Sequence, residues 1–170
     1  VLKLDTDKEV LPLGVNSKQF AKTIASNITA IVMVGNQLQY KGLEDYLHLA
    51  CNFPNLHFHI VGSTSDRHVQ KMLSQKKLTN VICHEKLNHK ELIQLFKKVQ
   101  LHVLPSRAEG FPKVILEAAS AGIPSLIYSD YGATEWIKTK QNGFVVDTVS
   151  EMAEVIKYLL DKPVIFSKLS

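Results

Sequence analysis

Leu101-His102-Val103-Leu104-Pro105-Ser106-Arg107-Ala108-Glu109-Gly110-Phe111-Pro112-Lys113-Val114-Ile115-Leu116-Glu117-Ala118-Ala119-Ser120-Ala121-Gly122-Ile123-Pro124 reads in three parts. The opening apolar run predicts a buried strand, and Pro105 to Gly110 predicts a turn. Pro112 stands where a first-turn helix proline is tolerated, and the small and apolar residues beyond it predict a helix that Gly122 and Pro124 stop. A strand–loop–helix unit of this kind aims backbone N–H groups and the positive end of a helix at the space above the strand, which suits a phosphate.

The same alternation runs outward in both directions. Ala30 to Gly35, Leu56 to Gly62, Asn80 to Cys83, Ser125 to Tyr128 and Gly143 to Val146 read as strands. Helices are predicted from about Gly42 to Asn52 and from about Arg67 to Gln75. Another, capped by Asn88, carries Leu92, Leu95, Phe96 and Val99, and a fourth, capped by Ser150, covers about Glu151 to Leu160. Strands that are continuous apolar runs, alternating with helices, give an α/β fold: a Rossmann-like parallel sheet of about six strands with helices on both faces.

The 170 residues, 45% of them hydrophobic, can bury one full core and not two. A net charge of +4 with mixed signs demands no nucleic acid and allows a mild preference for anionic ligands or a membrane surface. Cys51 and Cys83 stand alone and read as small core residues of a reducing compartment. No apolar run approaches membrane-spanning length and no signal peptide is present. The first residue is Val and not Met, so a piece of a longer chain is expected. Asp5-Thr6-Asp7 has a metal-holding spacing but no strand–loop context, and an exposed turn is the expectation. Asn27-Ile28-Thr29 is a sequon by pattern only, and His57 and His59 share a strand face without a third ligand, which favours ordinary packing over a metal site.

Glu109 lies in the loop and Glu117 follows after seven intervening residues. Flanked by Ile115, Leu116, Ala118 and Ala119, Glu117 is expected to be partly enclosed, and an enclosed carboxylate needs partners. The two would stand roughly 10–12 Å apart along a helix axis, too far for a glycosidase pair. They read as two acceptors facing one elongated polar ligand.

Glu109-Gly110-Phe111-Pro112-Lys113-Val114-Ile115-Leu116-Glu117-Ala118 closely resembles the E-x7-E signature of the retaining glycosyltransferases of group 1, relatives of glycogen and sucrose-phosphate synthases. The resemblance extends from about Val10 to Asp147. It implies a GT-B enzyme built from two Rossmann-like domains, of which this would be the C-terminal, sugar-nucleotide-binding one. Residues 1–20 would be the interdomain linker, 21–165 the donor domain and 166–170 the start of a crossover helix. Val10-Leu11-Pro12-Leu13-Gly14-Val15-Asn16, with Phe20, resembles the family's entry segment.

By resemblance, Glu109 would bond the donor sugar's hydroxyls, the backbone from Gly110 through Phe111 and Pro112 to Lys113 would meet sugar and phosphate, and Glu117 would accept from the ribose. Gly35 to Lys41 resembles V-G-R-L-x-x-x-K-G: Lys41 matches the lysine that neutralises the departing diphosphate, while Asn36 replaces the arginine and removes a bidentate clamp. Arg107 and Lys113 are the cations nearest in sequence to that gap; Arg107 reads either as a solvated loop arginine or, by hypothesis, as the guanidinium that fills it. Gly62 resembles the glycine that lets backbone approach the donor. His84-Glu85-Lys86-Leu87 resembles the loop that meets the base, with Glu85 where glycine is usual. Asp130 to Glu135 resembles a Gly-Gly loop in which Ala133 replaces the second glycine.

The implied activity is hexosyl transfer from a UDP-, GDP- or ADP-sugar to a glycan or lipid-linked acceptor, in cell-surface polysaccharide synthesis. No resident cofactor or metal is implied. The location would be cytoplasmic, at most peripheral to the membrane, and the isolated domain would be inactive without its N-terminal, acceptor-binding partner. Three alternatives remain: a GT-B sugar-nucleotide epimerase, a flavodoxin-like receiver (for which Asp130 alone supplies too little acid), and a noncatalytic nucleotide-binding scaffold, which Asn36 makes thinkable.

Overall fold

The computed structural model describes residues 14–20, 27–110, 112–130 and 132–163. The strands are β1 (Ala30–Val34), β2 (His57–Val61), β3 (Val81–His84), β4 (Leu101–Leu104), β5 (Ser125–Tyr128) and β6 (Gly143–Val146). The helices are α1 (Leu43–Asn52), α2 (Arg67–Lys76), α3 (His89–Phe96), α4 (Lys113–Ser120) and α5 (Val149–Asp161). All six strands pair in parallel, in the order β3-β2-β1-β4-β5-β6.

That order reverses between β1 and β4. The chain winds outward from β1 to β3, returns to β4 beside β1, and winds outward again to β6. At such a reversal the loops leaving the two central strands diverge, opening a crevice at the carboxyl end of the sheet. Alternation along the strands feeds two faces. Ile31, Met33, Phe58, Ile60, Val103 and Tyr128 pack with α1, α2 and α5 on one side. Ala30, Val32 and Val61 pack with α3 and α4 on the other. Phe20 joins that second core, edge-on to His89 and beside Phe96.

Local signals behave as their chemistry requires. Asn88 and Glu91 form a reciprocal capping box on α3. Asp66 accepts from the first-turn amides of α2. The third strand begins after Asn80, whose buried amide nitrogen lies 3.0–3.1 Å from the carbonyls of Ala50, Phe53 and Leu56 and ties the end of α1 to the sheet.

Two expectations change. Thr148, not Ser150, caps α5, because its side chain accepts from Glu151 N–H and the helix starts one residue later at Val149. Cys51 and Cys83 are exposed and not core residues. Cys51 falls off the buried stripe of α1, and Cys83 lies on the edge strand β3, where one face is uncovered. His59 meets His84 on β3, with Nδ1 2.9 Å from Nε2, so one ring donates to the other. Asp5-Thr6-Asp7, the segment Val10 to Leu13, Phe111, Tyr131 and residues 166–170 lie outside the described residues. Among the described residues no helix is long and apolar enough to cross a membrane, and no three metal-ligating groups cluster.

Candidate functional site

The crevice at the β1/β4 reversal holds a cavity of about 820 Å³. The loops after β1, β2, β3 and β4 all contribute to its wall, which is the expected consequence of a parallel sheet whose strands end on one side.

Its floor depends on close backbone approach. A Cβ on Gly62 would fall 1.8 Å from Gly35 O, and one on Gly35 would fall 2.8 Å from Lys41 Cγ. The missing side chains therefore let the β1 and β2 ends touch and let the Lys41 stem lie across them. Gly42 follows at φ +82°, and a Cβ there would fall 2.0 Å from Pro105 O, so the loop after β1 is set directly on the loop after β4. Ser106 fastens the same junction, its hydroxyl donating to Ala108 O at 3.1 Å and Tyr40 O at 3.3 Å.

This junction brings together two residues far apart in sequence. Lys41 Nζ donates to Glu109 Oε1 at 2.6 Å and to Oε2 at 2.5 Å. The Glu109 side chain is only 6% exposed and that of Lys41 26%. Glu117 sits two turns further on, on α4, and is 12% exposed with Lys113 Nζ at 3.8 Å. It is enclosed, as its apolar flanks imply. No side chain caps α4, whose N-terminal residues Pro112 to Val114 border the cavity and present first-turn amides to it.

Gly35, Asn36, Lys41, Gly62, Glu109, Pro112, Lys113 and Glu117 thus share one cavity. Two expected residues do not join them. Gly110 borders a separate, shallower hollow with Arg107 and Asp130. The Glu85 carboxylate turns away to accept from the buried Thr64 hydroxyl at 2.7 Å, and that bond holds its pKa below the usual carboxylate value. Phe111 is outside the described residues.

Of the two readings of Arg107, the structure shows the solvated loop arginine and not the stand-in for the arginine replaced by Asn36. Arg107 points out of the cavity, its Nη1 3.0 Å from Asp130 Oδ2 and its guanidinium 4.3 Å from the centre of the Tyr128 ring. Both partners oppose a move toward the cleft. The cations that do line it beside Lys41 are Lys113 and Lys86. Sequence reasoning missed Lys86, although the signal was available: it lies one residue beyond Glu85 in a loop leaving a strand at the same sheet edge. Leu87, Leu92 and Val114 supply an apolar wall near that lysine.

A crevice with lysines, an open helix N-terminus, two enclosed carboxylates and an apolar wall matches an elongated ligand carrying anionic, hydroxyl-rich and flat apolar parts. Residues 15–169 match the family described as glycosyl transferases group 1. The chain belongs to that family. It is 25% identical over its whole length to an uncharacterized glycosyltransferase of Haemophilus influenzae, and spans 48% of that relative. It superposes on Anabaena HepE, solved in complex with UDP and glucose, with a TM-score of 0.83 at 18% identity, covering 95% of this chain and 49% of that one. A solved C-terminal domain of a group 1 glycosyl transferase from Francisella tularensis gives a TM-score of 0.73 at 14% identity, covering 92% of both chains. These likenesses extend the Rossmann-like fold to known group 1 glycosyl transferases. The chain spans about half the length of the Haemophilus relative and of HepE.

Proposed function

We propose that this chain is the donor-binding, C-terminal domain of a retaining GT-B glycosyltransferase that moves a hexose from a nucleotide-sugar to a glycan or lipid-linked acceptor in cell-surface polysaccharide synthesis. The observation that carries this reading is the single crevice in which Lys41, Glu109, Glu117 and the α4 N-terminus meet. The diphosphate would lie against the α4 amides, with Lys41 and Lys113 neutralising charge as the leaving group departs. Glu109 would accept from the sugar hydroxyls and Glu117 from the ribose, while the base would lie toward Leu87 and Lys86. Asn36 offers the phosphates a neutral hydrogen bond, and the lysines lining the crevice make up the charge.

The likeness to a solved C-terminal domain over 92% of both chains, and to HepE with UDP and glucose bound, supports the assignment of domain and ligand class. The donor would be a substrate and not a resident cofactor. Transfer would take place at the cytoplasmic side of the membrane and would require a second, acceptor-binding domain, because the reacting geometry and the exclusion of water depend on closure. Titration calorimetry with UDP, GDP, ADP and their glucose conjugates tests the reading. One base series should bind, with the conjugate tighter than the free nucleotide; no heat with any of them would refute a donor site.

A further inference from the structure

The contact between Lys41 and Glu109 sets two parts of one ligand against each other; this inference rests on the cleft being a nucleotide-sugar site. Both oxygens of Glu109 accept from a single ammonium, at 2.5 and 2.6 Å, and the carboxylate is almost wholly enclosed. Among the described residues no second cation pairs with it, Lys86 included, although Lys86 lines the same cavity. Lys113 is beside Glu117, and Arg107 is held outside by Asp130.

A diphosphate entering the cleft needs Lys41. If the ammonium stays on Glu109, the phosphates meet a carboxylate at close range. If the ammonium leaves, an enclosed carboxylate is stranded without a donor, which is the costly half of breaking a sheltered ion pair. Either path penalises a nucleotide that brings only negative charge. A nucleotide-sugar brings hydroxyl donors as well, and those can satisfy Glu109 while Lys41 turns to the phosphates.

We infer that Glu109 competes with the diphosphate for Lys41, and that this competition makes the cleft favour the intact nucleotide-sugar over the nucleoside diphosphate left after transfer. Once the sugar has gone, Glu109 loses its donors, reclaims the ammonium, and lowers the hold on the product. The ion pair is thus a selectivity and release device, and no covalent step is involved in it.

Titration of the wild-type chain and of Glu109→Gln with the nucleoside diphosphate that binds, and with its glucose conjugate, tests this. Glu109→Gln should bind the free nucleoside diphosphate about fivefold or more tightly than wild type, and bind the conjugate more weakly, so that preference for the conjugate collapses. Glu109→Asp, too short to reach Lys41 in the same geometry, should shift free-nucleotide affinity in the same direction. In a Lys41→Met background, Glu109→Gln should no longer tighten free nucleotide. Circular dichroism establishes that each variant is folded. Unchanged or weakened nucleoside diphosphate binding in both Glu109 variants, with wild type still binding, would overturn the competition and leave the donor site standing. Absence of binding by wild type to every nucleotide and conjugate would remove both together.

Discussion

Two ion pairs flank the loop between β4 and α4, and they differ in nearly every respect. Glu109 reaches inward to Lys41, is sheltered, and touches it with both oxygens. Arg107, two residues earlier, reaches outward to Asp130 with one nitrogen at 3.0 Å, and its side chain is 58% exposed, that of Asp130 40%. Residues 105–110 are an irregular loop, so the strand rule that puts side chains two residues apart on the same side does not hold there. Nearness in sequence to the cleft therefore says little about which cations enter it. What decides the matter is the partner waiting on each side: Tyr128 and Asp130 outside, Lys41 within.

The largest effect that bears on this contrast comes from beneath the loop. His102 on β4 is fully buried, its Nδ1 3.0 Å from Ser125 Oγ and its Nε2 without a hydrogen-bond partner among the described residues. Burial lowers its pKa from 6.5 to about 4. His59, also pushed down to about 4 by burial and then by the neighbouring His84, acts in the same direction. Above pH 6.5 these rings are neutral folded or unfolded and contribute no pH dependence. As pH falls from 6.5 toward 4, the unfolded chain takes up protons that the folded chain refuses, so stability is lost across that window. His102 alone should account for roughly 3 kcal/mol of that loss between pH 7 and pH 4, which urea unfolding at the two pH values would read. The loss should shrink in His102→Leu with Ser125→Ala and persist in Glu109→Gln. If Glu109→Gln removed it instead, the acid sensitivity would belong to the cleft pair and not to the sheet.

Next in size are the pairs themselves. Lys41→Ala strands an enclosed carboxylate and should cost about 2 kcal/mol in urea unfolding at pH 7. Arg107→Ala leaves Asp130 free to meet water and should cost less than about 1 kcal/mol. Equal losses would erase the contrast, and a larger loss for Arg107 would invert it.

Much of this molecule was legible in its sequence. The strands were short, largely apolar runs bounded by turn residues, and parallel pairing, though not the strand order, follows once strands alternate with helices. The Glu109 to Glu117 stretch also announced its strand–loop–helix geometry. Illegible features were those set by long-range contact. Whether Arg107 turns in or out depends on Asp130 and Tyr128, and Lys41 meets Glu109 only because Gly42 and Pro105 touch. Cys83 looked like a core residue because nothing local reveals that β3 is an edge strand. Glu85 looked like part of the base-facing loop because nothing local reveals the buried Thr64 hydroxyl that captures its carboxylate.

Under the proposed function, the enclosed side of this loop, not the exposed side, would hold a nucleotide. The most direct test of this is calorimetric titration of a nucleoside diphosphate into Glu117→Gln and Arg107→Ala at fixed salt. Loss of one charge-assisted hydrogen bond predicts affinity about tenfold weaker in Glu117→Gln, with Arg107→Ala unchanged from wild type. Weakening by Arg107→Ala with no effect of Glu117→Gln would contradict the account and move the ligand to the outer face.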